Sequence, residues 1–261
     1  MMFGAVGGAV VYTIFLWWFS TGAILWLNRR PSPTYRRSLI AASVLAIASA
    51  GGLAVSMTDP SPAGAVLAFT CALGLWGWNE LSFLTGFISG PRTNFCPPNA
   101  LGWRRFRLAT TSLLYHEIAL VLTAGVIIAV TWRQPNQIGC WTFLILFVSR
   151  LSAKLNLFLG VPNFTDEFLP DRLRYLSSYM RRGPMNALFP LSVTAGLLLA
   201  GLEGRMALAP AATTFQAVGF SLMFTLTALA LIEHAFMVLP LPDAALWRWA
   251  LPASPKGNNA S

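Results

Sequence analysis

Both histidines of the chain stand beside a glutamate inside an apolar run, His116 with Glu117 and His234 with Glu233. A third glutamate, Glu80, follows Asn79 in another apolar run, and a fourth run carries Arg150, Lys154 and Asn156. Ionisable groups in membrane spans cost about 2.5–3.5 kcal/mol each to insert, and as a rule they mark function. Several chemistries suit these residue types. Glu80, Glu117 and Glu233 can pair with Arg150 and Lys154, which lie four apart on one helix face, and so pin helices together. Glu80, His116, Glu117, Glu233 and His234 are the ligand types of a di-iron or similar metal centre. Against that stand the absent Glu-x-x-His spacing of bundle di-iron proteins and the angle of about 100° between neighbours on a helix. His116 or His234 can serve as axial ligand to the magnesium or iron of a tetrapyrrole, with Asn79 and Asn156 as further cofactor contacts. Proton or substrate translocation is a last use of the same groups.

Depth ties these residues together. At about 1.5 Å per residue, Glu80 lies about 12 Å in from the end of its run, and His116 and Glu117 about 12–13 Å in from the start of theirs. Glu233 and His234 lie about 8–10 Å in, with Lys154 and Asn156 at a similar level. Four helices thus bring polar groups to one layer, which is expected to close as a single buried polar cluster.

The elements that hold this layer read as membrane spans. Of 261 residues, 56% are hydrophobic and 10% charged, whereas soluble domains carry about 25% charged residues. So few charges cannot cover a surface in water, and the ten Trp and eighteen Phe suit a lipid bilayer. Apolar runs occupy roughly 4–27, 38–57, 64–88, 108–131, 140–161, 187–202 and 215–239, each reaching or approaching the length of about 20 residues that spans a bilayer. The sixth is the shortest and has Pro190 near its start. The first has no basic residue before it and is followed by Asn28-Arg29-Arg30, so it is expected to remain as an anchor rather than be removed as a signal peptide.

The basic residues give the direction. A net charge of +9 resembles a nucleic-acid signal, but the charges fall between runs with no continuous basic face, so nucleic acid is rejected as a partner. Arg29, Arg30, Arg36 and Arg37 follow run one, and Arg92, Arg104, Arg105 and Arg107 follow run three. Arg172, Arg174, Arg181 and Arg182 follow run five, and Arg248 and Lys256 lie in the tail, while the alternate loops hold only Arg133 and Arg205. This asymmetry predicts an all-α, polytopic membrane protein. It has seven transmembrane helices in a single domain over 1–261, with the N-terminus outside and the C-terminus cytoplasmic.

Residues 166–182 open with Asp166 and Glu167, carry Pro170 early and stop at Gly183-Pro184 after Arg181-Arg182. Leu169, Leu173, Leu176 and Met180 fall at helical spacing, which predicts an amphipathic helix on the cytoplasmic leaflet or a docking face for a partner helix. The tail from Pro242 to Pro252, with Trp247, Arg248 and Trp249, reads as an interfacial anchor. Cys71, Cys96 and Cys140 lack the spacing of a disulfide framework or zinc site. Gly4 and Gly8, or Gly86 and Gly90, fit a small-residue packing motif. Trp26, Trp103, Trp132 and Trp141 suit an aromatic belt. Asn163-Phe-Thr matches a glycosylation acceptor but falls on the cytoplasmic side. No nucleophile elbow, P-loop or dinucleotide fingerprint is present.

Five strings are distinctive in combination. They are Trp78-Asn-Glu-Leu-Ser-Phe-Leu-Thr-Gly-Phe-Ile-Ser-Gly-Pro-Arg92, Tyr115-His-Glu117, Lys154-Leu-Asn-Leu-Phe-Leu-Gly-Val-Pro-Asn163, Tyr175-Leu-Ser-Ser-Tyr-Met-Arg-Arg182 and Glu233-His-Ala-Phe-Met-Val-Leu-Pro-Leu-Pro-Asp243. In this order the chain resembles, over nearly its whole length, the PuhE-type photosynthetic complex assembly proteins. These are encoded beside the reaction-centre H subunit in purple and aerobic anoxygenic phototrophic bacteria. The resemblance implies a factor of the bacterial inner membrane, cytoplasmic or intracytoplasmic, that supports reaction-centre and light-harvesting assembly and bacteriochlorophyll accumulation. Its partners would be reaction-centre or light-harvesting subunits or other assembly factors. It carries over no catalytic residue. The leading expectation is a non-enzymatic assembly factor whose His/Glu cluster holds bacteriochlorophyll or a precursor. The alternative is a membrane metalloenzyme, a di-iron-like oxidase or hydroxylase, using the same residues with iron. A proton-coupled transporter through Glu80 or Glu117 is a third, weakened by the lack of an inverted repeat.

Overall fold

A computed structural model describes residues 2–164, 169–240 and 243–250. Seven α-helices follow one another: α1 (Met2–Asn28), α2 (Tyr35–Ser56), α3 (Pro62–Leu84), α4 (Gly102–Thr131), α5 (Ile138–Leu159), α6 (Leu188–Ala207) and α7 (Thr214–Phe236). Among the described residues there is no strand, only an isolated bridge between Val161 and Arg182. Five helical stretches are long and apolar enough to cross a membrane: Gly4–Asn28, Ser32–Ser56, Gly102–Thr131, Ile138–Leu159 and Thr214–Phe236. Helices α3 and α6 do not reach that apolarity, and α3 is the helix that carries Asn79 and Glu80.

Local chemistry sets the helix ends. The Ser61 hydroxyl accepts the Gly64 amide at 3.0 Å and Pro62 occupies the first turn of α3, which satisfies an otherwise orphaned donor. Thr213 and Gln216 form a reciprocal capping box at the start of α7. Pro190 sits in the first turn of α6, where a missing amide costs little. Asn186 joins two ends at once. Its side-chain nitrogen donates to Asn156 O and Gly160 O at the end of α5, and its oxygen accepts the Leu188 and Phe189 amides at the start of α6.

Contacts fix the helix directions. Gly52 faces Cys71, Gly74 faces Ser49, and Trp78 Nε1 donates to Ser43 Oγ at 2.9 Å, so α2 and α3 run antiparallel. In the same way α6 opposes α7 through Gly196 against Leu231 and Gly204 against Phe224. Helices α3 and α5 run parallel, with Gly139 against Ala68 and Trp76 against Phe143. The alternation brings the Arg-bearing connections after α1, α3 and α5 and the tail to one end, called here the basic end.

Toward the far end the bundle is dry. Phe69, Leu120, Phe143, Leu222 and Leu226 pack with the small residues Ala65, Ala68 and Ala72 into the main core. Outward-facing Val44, Ile47, Val126 and Leu198 are well exposed, as lipid-facing positions are.

At the basic end the expected amphipathic helix over 166–182 takes another form. Residues Asp171–Tyr179 are a 3₁₀ helix, and Asp166 and Glu167 lie outside the described residues. Leu173, Tyr175, Leu176 and Tyr179 are buried against Phe83 and Leu84 of α3 and Leu108 and Leu113 of α4, so the apolar face meets protein, not lipid. The cause is polar as much as apolar. Tyr179 accepts from Arg92 Nε at 2.7 Å and donates to Asn94 O at 2.9 Å, and Arg172 donates to Thr85 O just past α3. Burial pushes the Tyr175 phenol above its ordinary range. The tail is likewise tied to protein within 243–250: Trp247 is buried with Leu25 against Trp17 and Trp18, and Trp249 seats on Gly22. The rest of the expected anchor, 242 and 251–252, lies outside the described residues.

Candidate functional site

The polar layer lies where α3, α4, α5 and α7 approach the basic end. Helix α3 stops at Leu84 because Gly86 takes a φ of +76°, so Glu80 lies only about 6 Å from the helix end. Helix α4 starts at Gly102 and overshoots α3 by several turns, which places His116 about 21 Å along it yet level with Glu80. Glu80 and His116 meet at 3.9 Å, Oε1 to Nε2, and the imidazole stacks on Phe83 at a centroid distance of 4.4 Å. Phe83 lies one turn beyond Glu80 on α3, a spacing that puts both on one face.

Two ion pairs flank this contact. Arg150 reaches the other Glu80 oxygen at 3.4 Å, and Lys154 reaches Glu117 at 2.6 Å. Both cations come from one face of α5, as their four-residue spacing predicts. Glu233 is elsewhere, accepting the Trp17 indole N–H of α1 at 2.9 Å. Among the described residues it has no ion pair within 4.0 Å.

The two histidines differ in kind. His234 uses both ring nitrogens, Nε2 with Ser152 Oγ at 2.9 Å and Nδ1 with Ala230 O at 2.8 Å. The Ala230 carbonyl can only accept, so Nδ1 carries the proton and Nε2 accepts from the serine. Asn156 continues this network, donating to Ser152 O at 3.0 Å and Ser192 Oγ at 3.2 Å. It is a clasp between α5, α6 and α7. His116 is 1% exposed, and neither of its ring nitrogens has a hydrogen-bond partner. Glu80 Oε1 is buried without one as well, and so is Oδ1 of the preceding Asn79, whose amide donates to Leu75 O and Thr123 Oγ1. Buried polar atoms are rarely left so, and a group of them points to a ligand or water.

Expected residues therefore separate into two groups. Glu80, His116, Glu117, Arg150 and Lys154 converge, while Asn79 turns to Leu75 O and Thr123 Oγ1. His234 and Asn156 belong to the clasp, and Glu233 turns to α1. No three of His, Cys, Asp and Glu come together as a metal-binding group among the described residues. The five-ligand di-iron arrangement is thus not assembled, because lysine, indole and serine take up Glu117, Glu233 and His234. Phe83, Ser152 and Trp17 were not singled out from sequence, and only Phe83 had a signal, its one-turn spacing from Glu80. Glu203, buried 4% exposed beside Thr227 in the far half, was also passed over.

Exposure changes along two of these helices. Arg150 lies two turns beyond Phe143 on the same face of α5, and Glu233 two turns beyond Leu226 on the same face of α7. Phe143 is 0% and Leu226 2% exposed, whereas the Arg150 side chain is 44% exposed and Glu233 is exposed. These two faces are therefore buried in the far half and exposed toward the basic end, while Glu80 and His116 stay buried.

Comparison with known proteins gives relatives without chemistry. The chain is 46% identical over 245 residues to an "Uncharacterized 30.4 kDa protein in puhA 5'region" of Rhodobacter capsulatus, a match covering 92% of this chain and 89% of the relative. No solved structure matches. Residues 3–258 match one family, so the chain belongs to the family described as "Protein of unknown function (DUF3623)".

Proposed function

We propose that this chain is a membrane-embedded assembly factor of the PuhE type for bacterial photosynthetic complexes, holding bacteriochlorophyll or a precursor at His116. In this reading all seven helices cross the bacterial inner membrane, with α3 and α6 shielded by α2 and α7. The N-terminus is outside and the basic end is cytoplasmic, in line with the positive-inside rule. The relative from the puhA 5' region supports a photosynthetic setting. Reaction-centre or light-harvesting subunits, or other assembly factors, are the partners.

One observation carries the pigment reading: a fully buried imidazole with neither nitrogen hydrogen-bonded, 3.9 Å from a Glu80 oxygen that also has no hydrogen bond. Such an imidazole suits ligation of a tetrapyrrole's central metal, which supplies the Lewis acid when the pigment is bound. Phe83 offers a flat apolar face next to it, and Glu80 and Asn79 can accept hydrogen bonds from ring substituents. His234 has no nitrogen to spare.

The test is to purify the protein in mild detergent from a phototrophically grown host and record its absorption spectrum with metal analysis. The expected result is bound bacteriochlorophyll or a precursor, lost in His116→Ala and kept in His234→Ala. Iron in near-stoichiometric amount without pigment would replace this reading with the metalloenzyme one. Neither, together with unchanged reaction-centre and antenna levels in a deletion strain, would overturn it.

A further inference from the structure

A cavity of about 420 Å³ lies at the basic end, outside the polar layer. It forms where the chain after α3 folds over the first turns of α4 and meets the end of the 3₁₀ helix. Cys96, Leu101, Arg105, Ser178, Met180 and Arg181 line it. No carboxylate is in its lining, and neither arginine forms an ion pair among the described residues.

Both guanidinium-bearing side chains line the same cavity. Arg105 is held in place: it donates to Tyr179 O at 2.5 Å, and its guanidinium lies over the Phe158 ring at 4.3 Å. A guanidinium has five donors, so one carbonyl leaves it with most of its capacity. The Arg181 side chain is exposed. Bringing like charges to one small cavity costs energy that a bound anion returns, and arginine suits phosphate oxygens in particular. The setting fits as well. Leu101 and Trp103 beside the cavity are 77% and 70% exposed, and such apolar and Trp side chains at the end of a membrane helix sit at headgroup level.

We propose that this cavity binds a phosphate-bearing anion through Arg105 and Arg181. Its source is either an anionic phospholipid headgroup of the adjoining leaflet or a soluble phosphate compound. Cys96 in the lining is a built-in reporter, since Cys71 and Cys140 are buried in the core. The rate of N-ethylmaleimide modification of Cys96 is measured in nanodiscs of phosphatidylcholine, in discs containing phosphatidylglycerol, and in phosphatidylcholine discs with inorganic phosphate. An occupied site slows the reaction by one plus the ratio of ligand concentration to Kd, about fivefold or more near saturation. Slowing by phosphatidylglycerol that disappears in Arg181→Gln identifies a lipid headgroup. Slowing by inorganic phosphate that disappears in the same variant identifies a soluble source. Arg181 is exposed, so this variant keeps the fold, which size-exclusion elution checks. Equal rates under all three conditions, or slowing that persists in Arg181→Gln, overturn the proposal.

Discussion

The two halves of the bundle solve the same packing problem with opposite chemistry. In the far half, α3, α5 and α7 meet through alanines, Phe69, Phe143 and Leu226, all at most 2% exposed. In the basic half the same faces present Glu80, Arg150 and Glu233. Hydrocarbon side chains meet by filling space, whereas charged side chains must be paired or hydrogen-bonded where helices meet. The far half is therefore held by apolar packing and the basic half by ion pairs and hydrogen bonds, a division that mutations can break or sharpen.

The largest effect belongs to the far half. Phe143→Ala removes a fully buried ring packed edge-on against Trp76 and should cost about 3–5 kcal/mol. In the basic half Glu80→Gln removes a charge whose partner, Arg150, is already accessible, and should cost about 1–2 kcal/mol. Unfolding midpoints in a denaturing-detergent titration compare the two. Equal losses would mean that the basic half is as tightly packed as the far half, and the contrast would fail.

An intermediate effect is expected at the better-made pair. Lys154 and Glu117 meet at 2.6 Å with side chains 18% and 22% exposed. Lys154→Met strands the carboxylate and should cost about 2–3 kcal/mol. Adding Glu117→Leu should recover most of that loss, the mark of a stranded charge rather than a cavity. No recovery would assign the loss to packing.

Accessibility separates the halves without reference to stability. Cysteines placed singly at 226 and 233, in a chain freed of its own three, should differ in reaction with a charged thiol reagent applied at the basic end. Position 233 reacts and position 226 stays inert. Reaction at neither would show that the exposed face of α7 is not open to water at the basic end.

How much of this was legible beforehand follows the same divide. The depth of the polar residues puts Glu80, His116, Glu117, Lys154, Asn156, Glu233 and His234 at one level, because helical rise is regular, but depth does not say which of them face one another. The Arg150–Lys154 spacing predicts that both cations share a face. Glu233 and His234 resisted, since their partners, Trp17 and Ser152, are 216 and 82 residues away and of types that membrane helices use everywhere. The 3₁₀ helix at Asp171–Tyr179 resisted for another reason. Its apolar spacing fits a helix on a leaflet equally well, and what draws it into the protein is the apolar face of α3 and α4 together with the tyrosine and arginine bonds to the 85–101 connection.

The smallest expected effect concerns what covers the basic half. Trp249 rests on Gly22 of α1 so closely that a Cβ there would collide with the indole ring. Alanine is the better helix former by about 1 kcal/mol, so Gly22→Ala on its own should stabilise α1. If the tail is seated as described, that gain is offset by loss of the Trp249 contact. Global stability then stays within about 0.5 kcal/mol of wild type, while quenching of the half-exposed Trp249 by an aqueous quencher increases. A rise close to the full helical gain with unchanged quenching would mean that Trp249 does not rest there. The offset result would instead seat Trp249 on Gly22, beside the Trp18 and Phe19 rings and the Trp18–Leu246 and Trp247–Trp18 hydrogen bonds that also tie the tail to α1.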